Sequence, residues 1–169
     1  MRKNYFLNVF GILLCLSLYS QSSQKSYKDS TQYLAKGANT ALDNYDYSSA
    51  IEHSLKLIDL ASSKEDYTQL NLGHNFLGIT YEVLEDTLRA KENYKKALEH
   101  AKSSNNDTLL WYAYNNLGNI YSSNKKPLQK EREYYRNTLE IAPKLSNSEE
   151  PHPPASIIRG TFLKNEHYY

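Results

Sequence analysis

Cysteine is almost missing from this chain: Cys15 is the only one in 169 residues. A disulfide framework within the chain is therefore excluded, and so is a metal site built on several thiolates. An excess of charge of one sign is missing too, with 20 Lys plus Arg against 19 Asp plus Glu. The clustered basic surface of a nucleic-acid binder is absent, so no nucleic acid is expected to bind this segment. Only one long apolar run exists, and no segment alternates apolar and polar residues, which argues against strands. His-Glu-x-x-His and Gly-x-Ser-x-Gly are both absent. Gly73 and Gly78 have the spacing of a phosphate loop, but Ile79-Thr80 follows where Lys-Ser/Thr is required. The histidines are scattered, and Glu65-Asp66 and Glu149-Glu150 read as a helix start and a solvated linker. No catalytic residue, metal or cofactor is expected, and the chain does not read as an enzyme. What it has in abundance is tyrosine, with 16 copies. Tyrosine joins a large apolar ring to a polar tip and suits half-buried helix seams and binding surfaces.

The N-terminus has the pattern of a secretion signal. Arg2 and Lys3 precede a mostly apolar run, Tyr5 to Tyr19, of roughly fifteen residues, which is short for a membrane span. Ser20 is small enough for cleavage after it. Residues 1–20 then form a signal peptide, 21–30 a polar linker, and export to the periplasm or envelope of a Gram-negative cell is expected. The alternative is a membrane anchor formed by residues 5–19. Cleavage would remove Cys15, Arg2 and Lys3 and leave acidic residues in slight excess.

Shifted by forty, the sequence matches itself. Asn75, Leu77, Gly78, Tyr81 and Tyr94 recur as Asn115, Leu117, Gly118, Tyr121 and Tyr134. Ala50, Glu52, Lys56, Ala61, Ser63, Thr68 and Leu70 recur as Ala90, Glu92, Lys96, Ala101, Ser103, Thr108 and Leu110. Repeats at this period are the signature of stacked units. Tyr67, Leu70, His74, Leu77, Tyr81 and Leu84 fall at steps of three and four, which predicts one helix. A turn is expected near Glu85 and Asp86, and Ala90, Tyr94, Ala97, Leu98 and Ala101 predict a second helix. Asp29-Ser30, Asp86-Thr87 and Asp107-Thr108 are placed at helix starts, where their oxygens would cap free amides, and Pro127 fits a first helical turn. Gly78, Gly118 and Ala90 are small where two helices would meet. His74 lies on the packing stripe and is assigned to the core, while His53 and His100 are assigned to solvated outer faces.

Leu77-Gly78-Ile79-Thr80-Tyr81, Leu117-Gly118-Asn119-Ile120-Tyr121 and the Ala90, Tyr94, Ala97 series resemble the tetratricopeptide repeat family, in a long variant like that of bacterial sensory and regulatory proteins. The resemblance implies an all-α, right-handed solenoid of antiparallel hairpins: three repeats over 31–143 (31–70, 71–110 and 111–143) plus the first helix of a fourth. Residues 144–156 read as a Pro/Ser/Glu-rich connection and 157–169 as the partial fourth repeat. The first repeat has Gly37-Ala38-Asn39-Thr40-Ala41 in place of the Leu-Gly pattern. In the third, Lys130 falls where alanine is expected, or, with a one-residue insertion within 122–128 that restores Tyr135, Thr138 and Pro143 to family positions, Glu131 does; either way that hairpin should pack less tightly.

By family position, Asn39, Asn75, Ile79, Asn115 and Asn119 should line the concave groove, with Tyr112 and Glu82 near its ends. Asparagine both donates and accepts and suits a peptide backbone. Of the Lys/Arg/Asn clamp known in the family for a C-terminal carboxylate, Asn39 could correspond to one position and Asn116 falls at another, but Ala35, Phe76 and Tyr112 stand where other clamp residues would be, so a clamp is not supported. The expected function is protein or extended-peptide binding, as the sensory or interaction region of a signalling protein. The alternative is a stand-alone adaptor or assembly factor that self-associates through an open C-terminal hairpin.

Overall fold

A computed structural model describes the backbone of residues 2–122 and 129–145 and side chains chiefly between 17 and 121, with a few on the last helix. Pro127, the 144–156 connection beyond Leu145 and the 157–169 segment lie outside the described residues. Six helices make up the described residues: α1 (Arg2–Asp43), α2 (Tyr47–Ser62), α3 (Tyr67–Val83), α4 (Thr87–Ser104), α5 (Asp107–Ser122) and α6 (Gln129–Leu145). No strand occurs among them, as the missing two-residue alternation predicts.

The chain divides into two units, residues 1–33 and 34–169. In the first, α1 runs without a break across residues 21–30, and Asp29-Ser30 does not start a helix. No glycine or proline interrupts the chain between Gly11 and Gly37, so nothing forces helix termination there. Leu18 and Tyr19 are exposed on it. No helix is long and apolar enough to cross a membrane among the described residues.

In the second unit the joints between helices share one design. Tyr45, Glu65, Glu85 and Asn105 all have positive φ and recur every twenty residues. Each is followed by a residue whose side chain caps the next helix. The Asp46, Asp66 and Asp86 carboxylates accept from the amides of Ser49, Gln69 and Arg89 at 3.1, 3.1 and 3.0 Å. The Asn106 carbonyl accepts from the Leu109 amide at 3.1 Å. The same aspartates close the preceding helix with their own amides: Asp46 donates to the Ala41 carbonyl at 2.8 Å, Asp66 to Ala61 at 3.1 Å and Asp86 to Tyr81 at 2.8 Å. This is the Schellman pattern, with the left-handed residue at its centre. A left-handed non-glycine residue costs about 1 kcal/mol; one side-chain cap contributes about as much in the opposite sense. The joints therefore hold without glycine. Capping at the start of α5 falls to Asn106, one residue ahead of the expected Asp107, because only the residue outside the helical turn can turn its side chain back onto the amides.

Each helix from α2 to α6 packs on its neighbour in sequence, and α3 also touches α5. The α3–α4 seam shows why small residues were needed. A methyl built on Gly78 would lie 2.5 Å from the Tyr94 ring, so only glycine admits that ring. Tyr94 is 1 % exposed, and Ala90, Ala97 and Ala101 line its helix without exposure above 1 %. Gly37 serves α1 and α2 in the same way, with the His53 ring 2.9 Å from its would-be methyl. The core continues from α4 into α5 through Leu98, Leu109, Ala113, Leu117 and Ile120. Of the predicted α3 stripe, Leu70, His74 and Leu77 are buried and Tyr81 is half-buried, while Tyr67 and Leu84 at its ends are exposed.

Candidate functional site

The faces of α3 and α5 carry most of the residues expected in the groove, and the structure sorts them by burial. Asn75, Asn115 and Tyr112 are 5 %, 3 % and 7 % exposed. Ile79 and Asn119 are half-buried, Asn39 on α1 is half-buried, and Glu82 is exposed.

Burial has a cause in each case. Because α3 touches α5, the Asn116 side-chain amide donates to the Asn75 carbonyl at 2.6 Å across that contact. Four residues earlier on α3, Asn71 donates to the Ala97 backbone carbonyl at 2.7 Å. Two asparagines of α3 are thus spent on neighbouring helices. Tyr112 stands edge-on to Trp111, ring centroids 5.0 Å apart, and burial raises its phenol above the ordinary tyrosine range. Asn39 donates to the Asp43 carboxylate at 3.1 Å within its own helix. The Glu82 carboxylate accepts from the Tyr94 hydroxyl at 2.6 Å. Burial, and then the nearby Glu82 charge, push that phenol well above its usual range. Asn115 alone among these has a side-chain amide nitrogen that is buried and has no hydrogen-bond partner.

Ile79 packs against the α4–α5 core with part of its surface open. Ile79, Asn119 and Glu82 are therefore the members of the set on α3 and α5 that retain exposed surface. Sequence reasoning left Asn71 out of this set and placed Asn116 only at a clamp position of the family, not in the groove. Asn116 had a signal: its neighbour Asn115 repeats Asn75 at a shift of forty, but a contact between adjacent repeats joins Asn75 to the residue one further on.

A second cluster was also missed. His74, 8 % exposed, stacks on His100 with ring centroids 5.4 Å apart and planes 11° apart. Tyr67 also stacks on His100, centroids 6.1 Å apart. The Asn93 side-chain nitrogen donates to the Arg89 carbonyl, which turns its oxygen to His74 Nδ1 at 3.1 Å. Neutral His74 accordingly carries its proton on Nδ1. Burial lowers both histidines below the ordinary value. His74 is in the core as expected, but His53 and His100 are half-buried in hairpin seams instead of solvated. A half-polar ring packs against glycine or another ring when the facing helix leaves room, and sequence periodicity does not report that room.

Cations flank the seams: the Arg89 guanidinium lies 4.4 Å above the Tyr81 ring and the Lys91 ammonium 4.7 Å above Tyr121. No group of three metal-ligating side chains occurs among the described residues. The chain matches no family model, no curated protein and no solved structure.

Proposed function

We propose that this chain is an exported, protein- or peptide-binding scaffold of tetratricopeptide type, serving as the sensory or interaction region of a bacterial signalling protein. In this reading its hairpins stack as a right-handed solenoid and an extended segment of the partner lies along α3 and α5. The observation that carries it is the regularity of the second unit: four joints of one design at twenty-residue spacing, sequential packing from α2 to α6, and contact between α3 and α5. Stacked units of this kind are quasi-one-dimensional and present an extended surface along their length. Ile79, Asn119 and Glu82 offer one apolar anchor and two polar contacts on that surface. Asn75, Asn115 and Tyr112 support it from below. Export rests on Arg2, Lys3 and the apolar run to Tyr19.

The test is selection of peptides from a displayed library on the purified protein, followed by calorimetric titration of a selected peptide. Ile79→Arg is expected to weaken binding at least about tenfold, as loss of an apolar anchor does, whereas Leu55→Ser on α2 leaves it unchanged. Peptides that bind both variants equally well overturn the assignment to this face.

A further inference from the structure

The α3–α4 seam is fastened differently at its two ends. At one end the Tyr94 ring lies on Gly78 and its hydroxyl donates to the Glu82 carboxylate; residues 77–94 hold no histidine. At the other end His100 stacks on both His74 and Tyr67. Two hydrogen bonds tie α3 to α4 there. Asn71 donates to the Ala97 carbonyl, a bond between neutral groups. His74 donates from Nδ1 to the Asn93 oxygen, so this tie runs through a ring that can take up a proton. His74 is buried and His100 half-buried, so the two rings differ in their access to water.

We propose that the Tyr67–His74–His100 end of this seam is an acid-released clasp: closed, it holds one proton, on His100, and it loosens locally when His74 takes the second. One charge is tolerated because His100 keeps part of its surface in water. A second is not. Two unit charges at the 5.4 Å between the ring centroids repel by roughly five times the thermal energy at the effective permittivity of a protein, and a buried imidazolium also loses its hydration. Nothing nearby offsets this. The charged groups acting on the pair are Lys96 and Glu99, both of α4 and opposite in effect. Among the described residues, α2 and α5, which also pack against this hairpin, contribute none. Burial lowers His74 most, and the His100 and Lys96 charges lower it further, against the Asn93 bond and Glu99. Parting the rings restores water to both, so each proton taken up favours the open end.

The test is a titration of the full chain from pH 7.5 to pH 5 that follows the imidazole resonances by NMR and, in parallel, amide hydrogen exchange corrected for its intrinsic pH dependence. His100 should titrate first and His74 below it. As His74 charges, exchange of the Asn71–His74 and Ala97–Ala101 amides should quicken about tenfold over one pH unit, the effect of one linked proton, with the Gly78–Glu82 amides unchanged. His100→Phe keeps a ring against Tyr67 and His74 without the charge, and should cut that quickening at least about threefold, since the like charge is gone. Histidines that titrate together with exchange unaltered would overturn the proposal. Equal quickening at Gly78–Glu82 would overturn it in favour of global unfolding, and an undiminished acid response in His100→Phe would refute the role of the second charge and with it the clasp.

Discussion

In the α3–α4 hairpin the Tyr94 ring lies on Gly78, 1 % exposed, with its hydroxyl bound to Glu82. Forty residues on, Tyr134 of α6 is only half-buried and leans on Tyr114 and Tyr121, centroids 6.3 and 5.6 Å away. The two tyrosines occupy matching places in the repeat, and Gly78 has its counterpart in Gly118. The difference lies in the second helices. Ala90 opens the first hairpin's seam, whereas Lys130 stands at the matching place in α6. One small residue on each helix brings a pair into close contact, and in the α3–α4 seam Gly78 and the fully buried Ala90 supply both.

The comparison breaks most visibly at the tyrosines. Tyr94→Ala is expected to destabilise the protein by about 4 kcal/mol, the cost of removing a fully buried aromatic ring. Tyr134→Ala should cost less than half as much. Urea unfolding of both variants measures this, and equal losses would mean that the two hairpins are packed alike. Gly78→Val comes next, at about 3 kcal/mol, since the new side chain meets a buried ring that has nowhere to move.

Acidification sharpens the contrast, because only the α3–α4 hairpin carries the His74–His100 stack among the described residues. Both histidines have folded values held below 6.5 by burial, so the unfolded chain takes up protons first. Their stabilisation is complete above about pH 6.5 and is lost as pH falls from there through the folded values, at no more than about 1.4 kcal/mol per pH unit for each. The charges felt by His74 come from α4, namely Lys96, Glu99 and His100. Unfolding at pH 7.5 and pH 5.5 should show this loss in the parent chain and a smaller one in His74→Phe. Asp46, Asp86 and Glu52 also sit below their ordinary values, but their contribution is present above about pH 4.5 and falls away only below it.

The smallest effect separates the joints from one another. Glu85→Gly removes the strain of a left-handed glutamate and should stabilise by up to about 1 kcal/mol. Asn105→Gly should gain less, because asparagine tolerates that conformation. Thermal unfolding of the pair ranks them.

Much of the fold was legible because it depends on residues close in sequence. The three- and four-residue spacing of Leu70, His74 and Leu77 set one helix, and that of Ala90, Tyr94, Ala97 and Ala101 set the next. Asp86 marked a helix start, and Gly78 and Ala90 marked a close approach. The candidate site was less legible. Seven residues were placed on one groove from their positions in the repeat, but Asn75, Asn115 and Tyr112 proved buried while Ile79, Asn119 and Glu82 kept open surface. The joint design also went unread, since a left-handed Tyr45 or Glu65 has no sequence signature of the kind glycine gives.

By itself, then, the sequence determined the helices of the α3–α4 pair and how often the unit repeats, because hydrogen bonds and apolar stripes within one helix are local. Only the tertiary structure decided which asparagine is spent and which is left over. Asn75 and Asn115 have the same helical position, and what separates them is the helix that arrives from forty residues away with Asn116 for one, while no described residue accepts from the other. A polar side chain's role is set by the group that meets it, and that group is chosen by packing.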